Sequence, residues 1–344
     1  MSAPDVGWGI LATGKIAHTF ARDLALVADA RLAAVGSRRL DSARAFAAEH
    51  GDEATRAHGS YEDLLADDAV DVVYIATPHA FHLDNARAAF AAGKHVLCEK
   101  PLTLDTADAA EMVRLAGEHD RFLMEAMWMA CHPVVRELRA ELASGRFGAP
   151  RQLQAQLGFR VDDGPGSRML DPALGASALL DMGVYPLTFA HLMLGPAERL
   201  TAAATLSDRG IDLDVAIAGR YAGGALAALN ASMTSWSSQD AAIATDLGRI
   251  DVGPAFHHPE RAVFTPYEPM RGPQPDRAVT LTGAEPVIGQ GYGNEIAEVN
   301  RCLREGLRES PLIPHAQTLA VLGQMDDLRR QVGVAFPGER PTPG

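Results

Sequence analysis

The stretch VGWGILATGKIA, residues 6–17, decides the fold of this chain. An apolar run leads through a glycine-containing turn into an alanine-rich helical segment, which predicts a strand–turn–helix unit. In dinucleotide-binding domains, the pyrophosphate binds at such a turn to free backbone N–H groups at the start of the helix. The stretch departs from G-x-G-x-x-G, because Ala12 and Ala17 replace the first and third glycines and leave only Gly14 for the closest backbone approach. Taken alone, the motif is also compatible with a tight turn that holds no ligand. The residues predicted to bind the cofactor here are Gly9, Ala12, Thr13, Gly14, Lys15 and Ile16.

The same alternation continues to about residue 125. Short apolar runs alternate with helical stretches, which predicts βαβ repeats and a parallel sheet covered on both faces. The predicted strands lie near 6–11, 31–36, 72–76, 95–98 and 122–126, and the helices near 17–26, 40–49, 61–66, 80–92 and 107–118. We therefore expect an α/β fold that begins with a doubly wound Rossmann domain over residues 1–125.

The pattern changes after about residue 150. Alternating apolar positions with glycine and Asp-Arg-Gly breaks favour an antiparallel sheet. The strands are predicted over 151–159, 199–205, 214–221, 224–233 and 241–250, with helices over 175–194, 293–307 and 314–332 and a long surface loop over 253–275. Residues 126–344 are thus expected to form an α+β domain with an open, mostly antiparallel sheet that binds substrate.

Composition limits the function classes. The chain has 344 residues, 31 basic against 44 acidic, and a formal net charge of −13, which argues against nucleic-acid and anionic-membrane surfaces. Its three cysteines, Cys98, Cys131 and Cys302, are far apart and suit neither a disulfide framework nor a zinc spacing, so we expect no metal site. The N-terminus lacks the pattern of a signal peptide, and no uninterrupted apolar stretch reaches the length of a membrane span. We expect a cytoplasmic protein whose partner is a small molecule.

The end of the second predicted strand indicates which dinucleotide is bound. Ser37, Arg38 and Arg39 stand where NAD enzymes usually offer a carboxylate to the ribose 2′-hydroxyl, and the first acid is Asp41. A hydroxyl and two guanidinium groups suit a 2′-phosphate, because arginine makes charge-assisted bonds to phosphate oxygens. NADP is therefore preferred over NAD, which stays an alternative. The two arginines would otherwise form a solvated surface at a helix start.

The ends of the third and fourth predicted strands face the ligand in an open parallel sheet. Ala76, Thr77 and Pro78 follow the third strand and are predicted to lie along the nicotinamide half of the cofactor. His82, one turn into the next helix, either faces the site, caps the helix or is exposed. The fourth strand ends at Glu99, Lys100 and Pro101; the first two are predicted to contact the cofactor.

The segment GKHVLCEKP, residues 93–101, resembles the signature of the glucose–fructose oxidoreductase and inositol dehydrogenase family, and the similarity runs through the entire chain. The segments MEAMW (124–128) and DMGVY (181–185) resemble the dimeric dihydrodiol dehydrogenase branch of that family, which also includes NADP-dependent aldose dehydrogenases. Members of that branch tolerate a residue other than glycine at the Ala12 position. The resemblance implies oxidoreduction with a nicotinamide dinucleotide and a dimer or tetramer formed through the second sheet.

Lys100, Tyr185 and Asp181 are the predicted catalytic residues. A spacing of four places Asp181 and Tyr185 on one helix face. A tyrosine has a pKa of about 10, and a lysine ammonium within about 4–6 Å lowers it. Tyr185 would then exchange a proton with the substrate oxygen while Lys100 tunes the phenol. The reverse assignment, with Lys100 as the acid–base group, stays open, as does a role for Asp181 in holding a substrate hydroxyl, in holding Lys100, or in neither.

Trp128 and Phe159 are predicted to wall the substrate pocket, as their counterparts do in the dihydrodiol branch, although aromatic residues near a domain junction often belong to the core. His257 and His258 are interpreted as a solvated pair in the long loop. The segment Asp162-Asp163-Gly164-Pro165-Gly166 with Arg168 is interpreted as a connecting loop.

The leading functional hypothesis is an NADP-dependent oxidoreductase acting on a hydroxyl or carbonyl carbon of a sugar, a polyol or a cyclic trans-diol. One alternative is a cofactor-binding sensor or regulator without catalysis. Another is a redox-neutral NAD-dependent glycosidase of the same fold.

Overall fold

The computed structural model describes residues 5–161 and 168–336. Six parallel strands form the N-terminal sheet in the order β3-β2-β1-β4-β5-β6, which is the doubly wound dinucleotide-binding order. The strands are β1 (Val6–Leu11), β2 (Ala30–Gly36), β3 (Arg56–His58), β4 (Val72–Ile75), β5 (His95–Glu99) and β6 (Leu123–Ala126). The helices are α1 (Lys15–Leu24), α2 (Leu40–His50), α3 (Tyr61–Leu65), α4 (His82–Ala91), α5 (Thr106–Glu118) and α6 (Trp128–Cys131). The Rossmann prediction is confirmed.

The central strands are apolar along their whole length because both of their faces are buried. Every residue of β1 and β4 is buried. Trp8 and Tyr74 pack on either side of Phe20 from α1, with ring centroids 5.4 and 3.7 Å from that of Phe20. Strand β3 was not predicted, since its three residues, Arg-Ala-His, form no apolar run.

The second sheet has nine strands and is mixed but mostly antiparallel, as expected. Its path is β14-β13-β12-β11-β7-β10-β9-β8, with β15 paired to β13. Strands β7 and β10 run parallel to each other, and the other neighbouring strands of this sheet are antiparallel. The elements are α7 (Pro133–Ala143), β7 (Pro150–Gly158), α8 (Val184–Leu194), β8 (Ala197–Leu206), β9 (Asp212–Tyr221), β10 (Leu226–Ser232), β11 (Ala241–Thr245), β12 (Gly248–Val252), β13 (Ala262–Glu268), β14 (Gly272–Pro273), β15 (Val279–Leu281), α9 (Tyr292–Arg304) and α10 (His315–Val332).

Two predictions for this sheet were wrong. The single strand expected over 241–250 is a hairpin of β11 and β12, and the Thr245 hydroxyl accepts the backbone N–H groups of Leu247 and Gly248 to close its turn. The long loop expected over 253–275 contains β13 and β14. Proline and glycine residues around β13 made this segment read as a loop. Its backbone is held as a strand by antiparallel pairing with β12.

The helix predicted over 175–194 is not regular. A π-helical turn covers Leu179–Gly183, and α8 follows it at Val184. The Asp212 carboxylate accepts the Leu179 N–H at 2.7 Å, and the Ser177 hydroxyl accepts the Leu180 N–H at 3.1 Å. These side chains supply the partners that the start of a helix lacks.

Among the described residues, one helical stretch, Pro172–Leu194, is long and apolar enough to cross a membrane by composition. In the structure, 89% of its most apolar window is buried. Burial of that extent is typical of a core helix.

The chain divides into two compact units, each discontinuous in sequence. Met1–Cys131 with Val287–Leu319 forms the first, and His132–Pro286 with Ala320–Gly344 forms the second. The single boundary expected at residue 125 therefore has to be replaced. Helix α9 belongs to the first unit. The Asp23 carboxylate on α1 accepts the backbone N–H groups of Gln290, Tyr292 and Gly293 at the start of α9. This contact between residues far apart in sequence leaves no local pattern.

Candidate active site

The turn between β1 and α1 has the features of an anion-binding site. Ala12 has φ +82°, a conformation that glycine usually supplies, and its N–H donates to the Gly36 carbonyl at 3.0 Å. Gly14 is the N-cap of α1, which has no capping side chain and no acid in its first turn. No described atom outside the neighbouring residues lies within 4 Å of where a Gly14 Cβ would be. The first N–H groups of α1 thus remain available to a phosphate.

Gly9 has a packing role in this unit. A Cβ at Gly9 would lie 2.8 Å from Val70 Cγ1. Its predicted contact with the cofactor stays a prediction, as do those of Thr13, Lys15 and Ile16.

The end of β2 places Ser37, Arg38 and Arg39 together at the start of α2. Ser37 is buried, and its backbone N–H donates to the His58 carbonyl at 3.2 Å, whereas both arginines are exposed. The Arg38 charge is close enough to Tyr61 to oppose the effect of burial, which raises the pKa of that phenol. Two exposed cations beside a buried hydroxyl suit a phosphate ligand.

The loop after β4 is fixed by His82. This histidine is fully buried, so exposure is excluded. Its Nε2 lies 2.9 Å from the Thr77 carbonyl, and its Nδ1 lies 3.2 and 3.1 Å from the Pro101 and Leu102 carbonyls. The imidazole therefore links the segment after β4 to the segment after β5, and a direct contact with the cofactor stays a prediction. Ala76 and Pro78 flank Thr77, whose hydroxyl accepts from Asn85 Nδ2 at 3.1 Å.

Lys100 is half-buried and follows the buried Glu99 at the end of β5. The Tyr74 hydroxyl donates to Glu99 Oε1, and the Lys100 N–H donates to Glu99 Oε2 at 3.2 Å. Behind this segment, Glu125 accepts the Leu102 N–H at 3.1 Å. Burial raises the pKa of Glu125, and the nearby Lys100 charge is one of the effects that oppose this rise. The backbone on both sides of Lys100 is thus held by carboxylates.

Glu295, which sequence reasoning missed, lies in the first turn of α9. It has no exposed surface, and neither of its carboxyl oxygens has a hydrogen-bond partner in the described part of the chain. Burial raises its pKa well above the usual value, and the Glu99 and Asp23 charges raise it further. A buried acid on a helix resembles an exposed one in sequence, so no signal was available to find it.

Trp128 is 6% exposed and stacks on Tyr292, with ring centroids 4.5 Å apart and planes 20° from parallel. The pair lies within the first unit. Tyr292 was also missed by sequence reasoning. Whether Trp128 contacts substrate stays a prediction; its packing role is evident.

In the second unit, Tyr185 is 7% exposed at the start of α8, and Asp181 lies in the π-helical turn before it. Arg168 Nη1 lies 3.4 Å from Asp181 Oδ1. The neighbouring Asp212 is 1% exposed. Burial, together with the Asp181 charge, raises the pKa of Asp212 to about 6, although the hydrogen bonds that Asp212 accepts oppose this rise. The helical turn that precedes Tyr185 is therefore held by the buried Asp212 carboxyl.

His257 packs against the ring of Tyr185, with centroids 5.2 Å apart. The interpretation of His257 and His258 as a solvated pair was therefore wrong for His257, which lies next to the predicted catalytic phenol. Phe159 is 44% exposed after β7 and stays a predicted substrate contact. The predicted connection over residues 162–166 lies outside the described residues.

Comparison with known proteins agrees with this architecture. Residues 6–127 match the oxidoreductase family model described as an NAD-binding Rossmann fold, and residues 135–251 match the GFO/IDH/MocA C-terminal domain. Trans-1,2-dihydrobenzene-1,2-diol dehydrogenase of Sus scrofa is 33% identical over 339 residues, 97% of this chain and 98% of its own length. The Homo sapiens protein of the same name is 31% identical, with the same coverage.

Among solved structures, a 3-ketoreductase from Actinomadura kijaniata in complex with NADP and TDP-benzene has a TM-score of 0.83 and 25% identity, covering 97% of this chain and 100% of its own. An aldose-aldose oxidoreductase from Caulobacter crescentus complexed with glycerol has a TM-score of 0.83 at 20% identity, covering 96% and 98%. This second likeness concerns the fold.

The fold and the nucleotide turn define an NAD(P)-dependent oxidoreductase that acts on CH–OH groups. The chain belongs to the Gfo/Idh/MocA oxidoreductase family, as its two family segments and its full-length similarity to the dihydrodiol dehydrogenases establish.

Proposed function

We propose that this protein is an NADP-dependent oxidoreductase that interconverts a hydroxyl and a carbonyl on a sugar, a polyol or a cyclic trans-diol. The observation that carries the proposal is the presence of Lys100 after β5 and Tyr185 at the start of α8 in a chain similar over its whole length to dihydrodiol dehydrogenases. A dedicated sensor has no need of a catalytic lysine and tyrosine.

The nicotinamide supplies hydride transfer when the cofactor is bound. Tyr185 takes the proton of the reacting hydroxyl during oxidation and returns it to the carbonyl oxygen during reduction. The Lys100 ammonium stabilises the phenolate and binds the same substrate oxygen. Asp181 holds a second substrate hydroxyl, and Trp128 and Phe159 cover the apolar face of the ring.

Preference for NADP is assigned to Ser37, Arg38 and Arg39. Each charge-assisted bond to the 2′-phosphate contributes about 1.5–3 kcal/mol, so loss of Arg38 is expected to weaken NADP at least about tenfold while NAD is unaffected. Arg44, which is exposed on the neighbouring helix α2, provides the matched control. Equal losses for both cofactors in Arg38→Ala would contradict this assignment.

Assembly as a homodimer or homotetramer through the second sheet is part of the proposal. Alternate residues of β9 and β10 are exposed, among them Ala216, Ala218 and Ala228, and a cleft of about 410 Å³ beside them is lined by Ala203, Asp214 and Ser232. Such a face suits a flat contact between copies. Light scattering on Ala228→Glu, in the middle of β10, is expected to report smaller particles than wild type; an unchanged mass would contradict the contact. We further propose a cytoplasmic location.

The test is NADPH formation with NADP⁺ across a panel of aldoses, inositols and trans-dihydrodiols, with NAD⁺ in parallel and Lys100→Ala as control. Reduction with one substrate class that is lost in the variant supports the proposal. Binding of cofactor without reduction in either direction would instead favour the sensor, and glycoside cleavage without net reduction would favour the redox-neutral glycosidase.

A further inference from the structure

Three side chains with metal-binding chemistry converge between α1 and α2 in the first unit. His18 comes from α1, and Glu49 and His50 come from the end of α2. His18 Nδ1 lies 2.7 Å from His50 Nε2. Glu49 Oε2 lies 3.4 Å from the His18 nitrogen, and Glu49 Oε1 lies 3.3 Å from the His50 nitrogen. The carboxylate thus faces both imidazoles.

The size of this cluster is close to that of a one-ion site. Zinc binds imidazole nitrogen and carboxylate oxygen at about 2.0–2.2 Å, so two ligands on one tetrahedral ion lie about 3–3.5 Å apart. One ligand atom from each of the three side chains lies within 4.8 Å of the other two. To share one ion, the two histidine nitrogens have to move apart and one Glu49 oxygen has to approach both of them.

The surroundings restrict the two histidine rings. The side chain of His50 is 6% exposed, and the ring of Phe46 lies 4.5 Å from that of His18 and 4.6 Å from that of His50. Rings packed in this way lose little rotamer freedom when they bind an ion.

We propose that His18, Glu49 and His50 form a binding site for a divalent transition ion of the zinc type that clamps α1 to α2. His18 and Glu49 are half-buried and exposed, so the fourth position is open to water. The clamp is distinct from the predicted substrate chemistry and does not depend on it. It was invisible to a search for ligand spacing, because two ligands are adjacent and the third is 31 residues away.

The clamp bears on the nucleotide turn. The His18 N–H donates to the Gly14 carbonyl at 3.3 Å, within the first turn of α1. An ion on the His18 ring holds the helix whose first N–H groups face the phosphates. Zinc and dinucleotide are therefore expected to strengthen each other's binding, since such coupling is reciprocal.

The test is calorimetric titration of Zn²⁺ into the full-length chain after chelator dialysis, with Co²⁺ absorption as a second probe. We expect one ion per chain. His18→Gln and Glu49→Gln, which alter the more exposed ligands, are each expected to weaken binding at least about tenfold. His119→Gln, an exposed histidine elsewhere in the unit, is the matched control and should bind like wild type.

Circular dichroism establishes that each variant is folded before titration. Zinc is also expected to raise the melting temperature of wild type and of the control, but not of His18→Gln. Absence of binding in wild type, or equal binding in wild type, His18→Gln and Glu49→Gln, would overturn the proposal and leave a hydrogen-bonded histidine pair.

Discussion

Replacing Glu295 with glutamine is expected to change how the stability of the protein depends on pH. Glu295 is completely buried in the first turn of α9, and its two carboxyl oxygens have no hydrogen-bond partner within the described ranges. Burial, then the charges of Glu99 and Asp23, raise its pKa well above the usual value. The folded protein therefore keeps a proton on Glu295 that the unfolded chain releases.

The sign and size follow from this difference in bound protons. Above the unfolded pKa of about 4.3, the folded state holds one extra proton, so the free energy of unfolding falls by about 1.4 kcal/mol per pH unit until the folded carboxyl titrates. Glutamine does not titrate, and the Glu295→Gln curve lacks this slope.

Urea unfolding followed by fluorescence at a series of pH values measures this difference. Glu298→Gln, one turn further along α9, is the matched control with the opposite sign. Burial raises the pKa of Glu298, but the bonds from Arg301 and Ser310 outweigh it and the net pKa is lowered. Glu298→Gln should lower the free energy of unfolding at pH values above the unfolded pKa of Glu298. This loss should become smaller as the pH falls through the folded pKa of Glu298. Parallel curves for wild type and Glu295→Gln would refute the reasoning.

Three further predictions concern the site. Tyr185→Phe should lower kcat by about 10²–10⁴ without loss of cofactor binding, and turnover near wild type would assign the proton transfer to Lys100. The ionised form of Asp212 destabilises the fold, because burial raises the folded pKa of this group to about 6 from an unfolded value of about 4. Asp212→Asn should therefore remove the contribution of this group to the fall in the free energy of unfolding as the pH rises from about 4 to about 6. Unfolding measured at several pH values would contradict this if variant and wild type had the same slope in that range. Trp128→Ala should reduce stability by about 3–5 kcal/mol through loss of the stack on Tyr292, and thermal unfolding close to wild type would contradict the packing role.

The first sheet could be predicted because its signals are local. Strands buried on both faces read as apolar runs, and the intervening helices carry their own periodicity. Strand β3 escaped because Arg56–His58 is held by pairing with β2 and has no pattern of its own. The β11–β12 hairpin and β13 escaped because turn residues interrupt or flank them, and only pairing identifies them as strands.

The candidate site was predictable where motifs carry it and hidden where contacts between distant residues create it. Lys100 and Tyr185 lie in recognisable segments. His257 lies beside Tyr185, and Glu295 beside Glu99, only through folding. Asp23 looked like an ordinary helix acid, yet its carboxylate fixes the start of α9.

The proposed reaction exchanges a hydride between substrate and nicotinamide. It can be followed by incubating NADP⁺ with a substrate that carries deuterium at the reacting carbon and analysing the products by mass spectrometry. We expect deuterium in the recovered NADPH and none with Lys100→Ala. Recovery of unreduced cofactor beside converted substrate that has lost its label would contradict it.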